Sequence, residues 1–352
     1  MKVRVITPPA LLLLSALAGA DGGAAHKSKQ STPIQLGCSG GSLNDRSSAF
    51  CCGGTLGALV VRNGVVSILS NNHVLGRSGS AAVGEDTVHP GLIDTGCNAA
   101  TSHIVGDYPG NYVPLGSANV DTALTTVRSG MVDTSGAILD VGVPSQNIRT
   151  TGLIGLGVQK SGRTTGRSTG TITATNASVS IQYQKGCNSG KKFTVSFTNQ
   201  IVTGDMSDGG DSGSLTVSND ASKNPVGLLF AGSSTTTIHN PIGAVVSAYQ
   251  AGGNTFSFVG TNAMVLQPPK TLRAPSPEDL ELALQVKLEN ETEFMKKPGV
   301  LGIGIGQAED NPLEAAIVVL FDRSQVLNLP PRLDGFQVRY ILTDTIVAQN
   351  YE

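Results

Sequence analysis

From Pro33 to about Gly260 the chain is a succession of short β-branched and aliphatic runs, each closed by glycine or a polar turn. Examples are TLGALVVRNGVVSILSNN (55–72), DTALTTVRSG (121–130), GTITATNASVSIQYQ (170–184), KFTVSFTNQIV (192–202), SLTVSND (214–220) and VGLLFAGSS (226–234). A helix would need long stretches of straight-chain residues free of glycine. Short strands joined by tight turns need what is present here. Asn63-Gly64 between two apolar runs is the strongest short hairpin signal, because both positions of the favoured turn take positive φ. The pattern predicts an all-β sandwich or barrel. With 44 Gly and no Trp, its core must rest on Val, Leu, Ile and Ala.

The first residues set the compartment. Lys2 and Arg4 precede an apolar run, Val5 to Ala20, with small residues at Ala16, Ala18 and Ala20. This reads as a secretory signal peptide over 1–20. The run is short for a span of ~20 apolar residues, so no membrane span is expected after its removal, and the mature chain is expected to be secreted or periplasmic. Residues 21–32 are small and polar and read as a mature tail. In an exported chain the cysteines Cys38, Cys51, Cys52, Cys97 and Cys187 are expected to include disulfides, with one left over. The vicinal Cys51 and Cys52 should not bridge each other, since that ring is strained; the pairing is otherwise open. No CxxC pair supports a zinc site. Charged residues make up only 14% and the net charge is -2, so nucleic acid is not an expected partner. Nothing in the sequence sets an oligomeric state.

Composition shifts at QPPKTLRAPSPEDL (267–280). A proline-rich linker over 263–275 separates the β-rich domain, 33–262, from a small α/β domain, 276–352. Ser276 is placed to cap a helix, with Pro277 first inside it and Glu278 and Asp279 in its first turn. Leu280, Leu284, Leu288 and Met295, beside Ala283 and Phe294, form one helical face to about Lys296, and Pro298-Gly299 stops it. Strands are predicted over 300–307, 315–322 and 336–343. GIGIG (302–306) fits no phosphate loop and reads as a close-packed strand. This C-terminal part carries no chemical signal. Docking module, oligomerisation element and removable pro-domain are all open.

Three segments can carry one mechanism. ILSNNHVLG places His73 at the end of an apolar run, SANVDTALTTV places Asp121 at the start of another, and SDGGDSGSLTV places Ser212 among glycines. A serine nucleophile needs a base for its proton, and the base needs a buried acid to fix its tautomer. Glycines at 209, 210 and 213 allow the backbone to aim the Gly210 and Ser212 amides at a developing oxyanion. Asp205 and Asp208 are the rival acids and read as loop or pocket residues. Of the other histidines, His26 lies in the tail, His89 precedes Pro90, and His103 and His239 fall in loop-like stretches.

The order His, Asp, Ser resembles that of chymotrypsin-like peptidases. SNNHVLG resembles the TNNHV-type segment of HtrA-type peptidases, VDTALTTV their DIAL-type strand, and GDSGS the GDSGG nucleophile loop. VQKSGRTTGRSTGTITATNASV (158–179) is similar to the hairpin that opens the second barrel of streptogrisin-type bacterial peptidases. The resemblance spans roughly residues 35–260. It implies a mainly β fold of two six-stranded antiparallel barrels, trypsin-like, followed by the small C-terminal α/β domain. It implies a serine endopeptidase acting on polypeptides, with His73 as base, Asp121 orienting it and Ser212 attacking, with no metal or organic cofactor. Activity would rise with pH to a plateau. The primary pocket would be floored by Met206 and opened by Gly232, suiting an apolar or medium-sized side chain. Three departures stand out. Ser214 replaces a glycine, no cysteine follows His73, and no activation site of the animal type follows the tail, so Asp211 must find another partner or face solvent. Two alternatives are a catalytically inactive binding module on the same fold, and an α/β-hydrolase with GCSGG (37–41) as nucleophile elbow.

Overall fold

A computed structural model describes residues 23–266, 273–326 and 329–348. The signal segment at 1–20 and residues 267–272 of the linker lie outside the described residues. The tail is docked: one helical turn, α1 (Ala24–Lys27), buries His26, whose Nε2 lies 2.9 Å from Ser161 Oγ.

Strands β1 (Cys38–Ser42), β2 (Gly54–Leu56), β3 (Ala58–Arg62), β4 (Val65–Ser70), β5 (Asp86–His89), β6 (His103–Asp107) and β7 (Ala123–Val127) form the first sheet, in the order β3-β4-β7-β6-β5-β1-β2. Only Gly57 separates β2 from β3, so the sheet returns on itself as a ring of six strands. One helical turn, α2 (Asn72–Leu75), follows β4. Asn63 and Gly64 have φ of 49° and 78°, the turn that the sequence predicts between β3 and β4. Leu56, Leu59, Ile68, Leu69, Val105 and Leu124 fill this ring.

The second ring consists of β8 (Gly157–Gly162), β9 (Gly166–Gln184), β10 (Lys192–Gly204), β11 (Leu215–Ser218), β12 (Pro225–Gly232) and β13 (Thr236–Pro241). Each strand pairs antiparallel with the next around the circuit β8-β9-β10-β13-β12-β11-β8. Leu156, Val158, Ile172, Ile201 and Val226 pack inside it. Helix α3 (Ile242–Gln250) then leads to β14 (Phe256–Phe258), which returns to pair with β3. The mainly β fold with two antiparallel units is therefore the one expected.

Strands β9 and β10 outrun their barrel. Their pairing slips between Phe197 and Thr203, and beyond the slip they form a two-stranded arm. A disulfide from Cys187, in the turn of this arm, to Cys52, just ahead of β2, ties its tip to the first barrel. Cys51 bridges Cys97, and Cys38 is free and buried. The vicinal cysteines thus do not bridge each other.

In the C-terminal region, α4 (Pro277–Met295) starts where expected, with Ser276 Oγ accepting from Asp279 N at 3.1 Å. Strands β15 (Val300–Gln307), β16 (Ala315–Asp322) and β18 (Phe336–Thr343) lie on the predicted ranges, with short pieces β17 (Arg332–Leu333) and β19 (Val347–Ala348). These strands extend the second sheet, because β15 pairs antiparallel with β9. The alternating glycines make that approach possible. A Cβ on Gly302 would lie 2.8 Å from the Val179 side chain, and one on Gly306 would overlap the Thr173 carbonyl.

The predicted helix face holds at Leu280, Ala283, Leu284, Phe294 and Met295 and is corrected at Leu288. Leu288 is 56% exposed and Lys287 is buried. One residue is a rotation of about 100°, and the inward line runs through Ala283, Lys287 and Phe294. Lys287 Nζ donates to Ser178 Oγ on β9 at 2.7 Å and to Glu291.

His239, expected in a loop, is a core residue, as is His89, and His103, expected in a loop as well, opens β6. His239 lies in β13 between Thr216 Oγ1 (3.0 Å) and Thr203 Oγ1 (3.1 Å). His89 ends β5, with Nδ1 2.7 Å from the Ser39 carbonyl and Nε2 accepting from Gln30 N at 3.1 Å. Burial holds His89 down to about 4 and His239 to about 3. An unfolded histidine titrates near ~6.5, so below that pH the unfolded chain binds more protons and stability falls. Asp45, pushed up to about 6 by burial, works in the opposite direction, but it is one group against two. The urea midpoint is expected to drop steadily as pH is lowered from about 6.5 to about 4, and less steeply in His239→Gln. A midpoint that holds constant over that range would contradict the neutral histidines.

Candidate active site

The centre of the site is Asp121, fully buried at the start of β7. Its Oδ1 accepts from the amides of Asn72 (2.7 Å) and His73 (3.2 Å), which open α2 and would otherwise lack acceptors. Its Oδ2 accepts from His73 Nδ1 (2.5 Å) and Tyr183 Oη (2.9 Å). Four donors on two oxygens match an ionised carboxylate, which only accepts. Its main chain is held as well. Asn71 Nδ2 donates to the Asp121 carbonyl at 2.7 Å, and Asn240 Oδ1 accepts from the Asp121 amide at 3.1 Å.

The same contacts set the tautomer of His73. Since the carboxylate cannot donate, the proton sits on Nδ1 and the neutral ring presents Nε2 as an acceptor. His73 is buried, and among the described residues Nε2 has no hydrogen-bond partner. The Tyr183 ring meets the imidazole edge-on at 5.8 Å. Burial, and then the Asp121 charge, push the Tyr183 phenol well above its usual value, so it stays a donor.

Ser212 sits in the turn between Asp208 and β11 and is also fully buried. Its hydroxyl donates to the Phe230 carbonyl on β12 at 3.0 Å. Its own carbonyl accepts from Thr55 N at 2.8 Å, binding the loop to β2 of the first barrel. Gly54 separates the two halves of the site: a Cβ there would lie 3.0 Å from the Ser212 carbonyl and 2.6 Å from Val74, the neighbour of His73. Gly213 has φ of 97°, and any side chain on it would overlap Ser70 and the Thr55 carbonyl. Gly210 also takes positive φ, 95°. Asp208, Gly209, Gly213 and Ser214 spend their amides within the fold. Among the described residues, the Gly210 and Ser212 amides take no protein acceptor.

Asp211 finds the partner that the sequence reading left open. Its carboxylate accepts from Lys160 Nζ (2.9 Å), Thr164 N (2.8 Å), Thr165 N (3.2 Å), Thr165 Oγ1 (2.8 Å) and Asp208 N (3.0 Å). Lys160 and Asp211 are both fully buried. Burial alone would raise the Asp211 carboxyl, but the Lys160 ammonium and the hydrogen bonds outweigh it and hold Asp211 low. The SGRTTG turn between β8 and β9 thus serves as the cradle of the loop that carries Ser212.

The other candidates fall into place around this centre. Met206 is buried against Leu156 and Ile172 in the second core, and its carbonyl accepts from Ser168 Oγ at 2.6 Å. It borders a cavity of 500 Å³ whose wall also includes Asp205, Ser207, Asp208, Ser233 and Ser234. Asp205 and Asp208 are exposed loop residues. Gly232 ends β12. Ser39 of GCSGG lies inside β1 with its hydroxyl 2.5 Å from Asp94 Oδ2, so it is on no strand-to-helix elbow and the α/β-hydrolase reading is excluded. Sequence reasoning missed Tyr183, Asn240 and Lys160. Only the polar Lys160 inside an otherwise strand-like run gave any local signal. Among the described residues no cluster of His, Cys, Asp or Glu is placed to hold a metal, and no helix is long and apolar enough to cross a membrane.

The sequence matches no family model and no curated protein. Solved structures with a similar course include a glutamic-acid-specific serine protease, at 19% identity over 64% of this chain and 100% of that one, with a TM-score of 0.44. Protease A of Thermobifida fusca follows at 19% identity, 64% and 98% coverage and a TM-score of 0.42. Cellulomonas bogoriensis chymotrypsin shows 22% identity, 65% and 99% coverage and a TM-score of 0.40.

Removing one member of a buried ion pair leaves the other charge without compensation, at a cost of about 3–5 kcal/mol. Lys160→Met is therefore expected to lose about that much unfolding free energy in urea, and the double variant with Asp211→Asn to regain part of it. A loss under about 1 kcal/mol in Lys160→Met would show that the pair does not hold the loop.

Proposed function

We propose that this chain is an exported serine endopeptidase that cleaves polypeptides through an acyl-enzyme. One observation carries the reading. A buried imidazole has its Nδ1 engaged by a saturated carboxylate and its Nε2 without a hydrogen-bond partner among the described residues, and a Cβ on Gly54 would meet both Val74, next to His73, and the carbonyl of the buried Ser212 on its glycine turn. A merely structural histidine would have both nitrogens satisfied, as His89 and His239 do.

In the reaction, the Ser212 hydroxyl swings from the Phe230 carbonyl to His73 Nε2, which takes its proton as Oγ attacks the scissile carbonyl. The imidazolium is stabilised by Asp121, and the Gly210 and Ser212 amides receive the oxyanion. His73 then returns the proton to the leaving amine, and the acyl group stays on Oγ. A water molecule, deprotonated by the same Nε2, attacks the ester, and the proton goes back to Ser212. Tyr183 holds the second lone pair of Asp121 Oδ2, so the carboxylate keeps one orientation throughout.

A binding module on the same fold is the second reading. It is favoured by the inaccessibility of His73, Asp121 and Ser212 and by the Ser212 hydroxyl being committed to Phe230. A fluorophosphonate probe separates the two. On prolonged incubation the folded chain is expected to be labelled at Ser212, located by mass mapping. Ser212→Ala should not react, and His73→Ala should be slower by several orders of magnitude. Absence of label at Ser212 under every folded condition would remove the nucleophile and leave the binding module.

A further inference from the structure

The backbone beside Ser212 is a strand edge, and the chain itself fills it. Gly213 N donates to Leu229 O at 2.9 Å and Leu229 N donates to Ser214 O at 3.0 Å, so β12 runs directly past the nucleophile loop. On that side β11 accompanies β12 only as far as Leu215 opposite Leu228. Past Phe230 the edge would stand open, and an open edge is a template for one more extended strand. Strand β19 takes the place: Ala348 lies opposite Ala231 and Val347 opposite Gly232, antiparallel.

The segment is held on every side. Val347 pairs with Gln182 on the arm, and Gln182 N donates to Ile346 O at 2.9 Å. Ile346 is fully buried in the cluster that contains Tyr183, Phe230 and Ala231. Ahead of it, Thr343 Oγ1 lies 2.5 Å from Ser233 Oγ, and Asp344 Oδ1 accepts from Ser234 N at 3.0 Å. A polypeptide laid along this edge toward Ser212 would need the same backbone groups of Ala231 and Gly232.

We propose that segment 343–348 is an intramolecular occupant of the edge of residues 230–234 and caps it against any other extended polypeptide strand. This rests on the peptidase reading for the identity of the competing ligand, but the capping itself is a matter of binding. The occupant has the chemistry of a substrate strand: extended, uncharged past Asp344, with one large aliphatic anchor.

Ile346→Asp in the full chain places a carboxylate in the aliphatic cluster and should release the strand. Its Ser212 is expected to react with a fluorophosphonate at least about tenfold faster than wild type, given the ~1.5–3 kcal/mol carried by a buried isoleucine. A capped peptide TDTIVA, residues 343–348, should slow the variant back in a dose-dependent manner. Ile346→Ala, which keeps the fold safer, should shift in the same direction to a smaller extent. Equal labelling rates in wild type and both folded variants overturn the capping and leave the peptidase reading intact. If no form is labelled, the peptidase reading fails, and fluorescence anisotropy of labelled TDTIVA decides the capping. Binding to the variants and not to wild type supports it, whereas binding to none, or to all alike, overturns it.

Discussion

The buried pair of Lys160 and Asp211 is the constraint on which the site depends. A carboxylate without solvent is tolerated only when donors surround it, and here they come from three places: β8, the Arg163–Thr165 turn and the loop's own Asp208. Satisfying Asp211 therefore fixes the turn that ends in Ser212. The two flanking glycines at positive φ follow from the same geometry, since that turn must bend sharply while its carbonyls reach Thr55. The first barrel is docked on the second by those Thr55 contacts.

Asp121 repeats this logic on the other side. Its carboxylate completes the first turn of α2, orients His73 and receives the hydroxyl of Tyr183 from the arm. Asn240 connects the Asp121 main chain to the Leu228 carbonyl on β12, the strand beside Ser212. The acid thus couples both barrels and the arm, and a movement of any of them is felt at the imidazole.

Much of this was legible in the sequence, and the reason is locality. The Asn63-Gly64 turn, the Ser276 cap and the strands over 300–307, 315–322 and 336–343 are each encoded within a few neighbouring residues, and all lie where expected. His73 and Asp121 were identified as partners because their segments carry chemistry in a particular order, and the structure joins them. What stayed hidden is non-local. Tyr183 reads as one more strand residue until the arm folds over the site, and Leu288 and Lys287 differ only by which face of α4 meets β9. His239 reads as a loop residue because its partners, Thr203 and Thr216, lie at a distance in sequence.

The C-terminal region shows how such non-local placement bears on chemistry. Its strands enter the second sheet through β9, the strand that also carries Tyr183 to Asp121. Its last described strand lies between β9 and β12. Strand β9 is thus covered on one edge by β15 and on the other by β10, and the arm is pinned at its tip by Cys52–Cys187. A ring so braced cannot open by bending the arm alone, because every edge of β9 is paired. Of the strands on the β12 edge past Phe230, β19 is a short one, two residues long and paired through three register positions. If the buried serine is to meet a polypeptide, the least costly motion is withdrawal of that strand, which exposes the β12 edge while leaving the Asp121 and Asp211 networks unchanged.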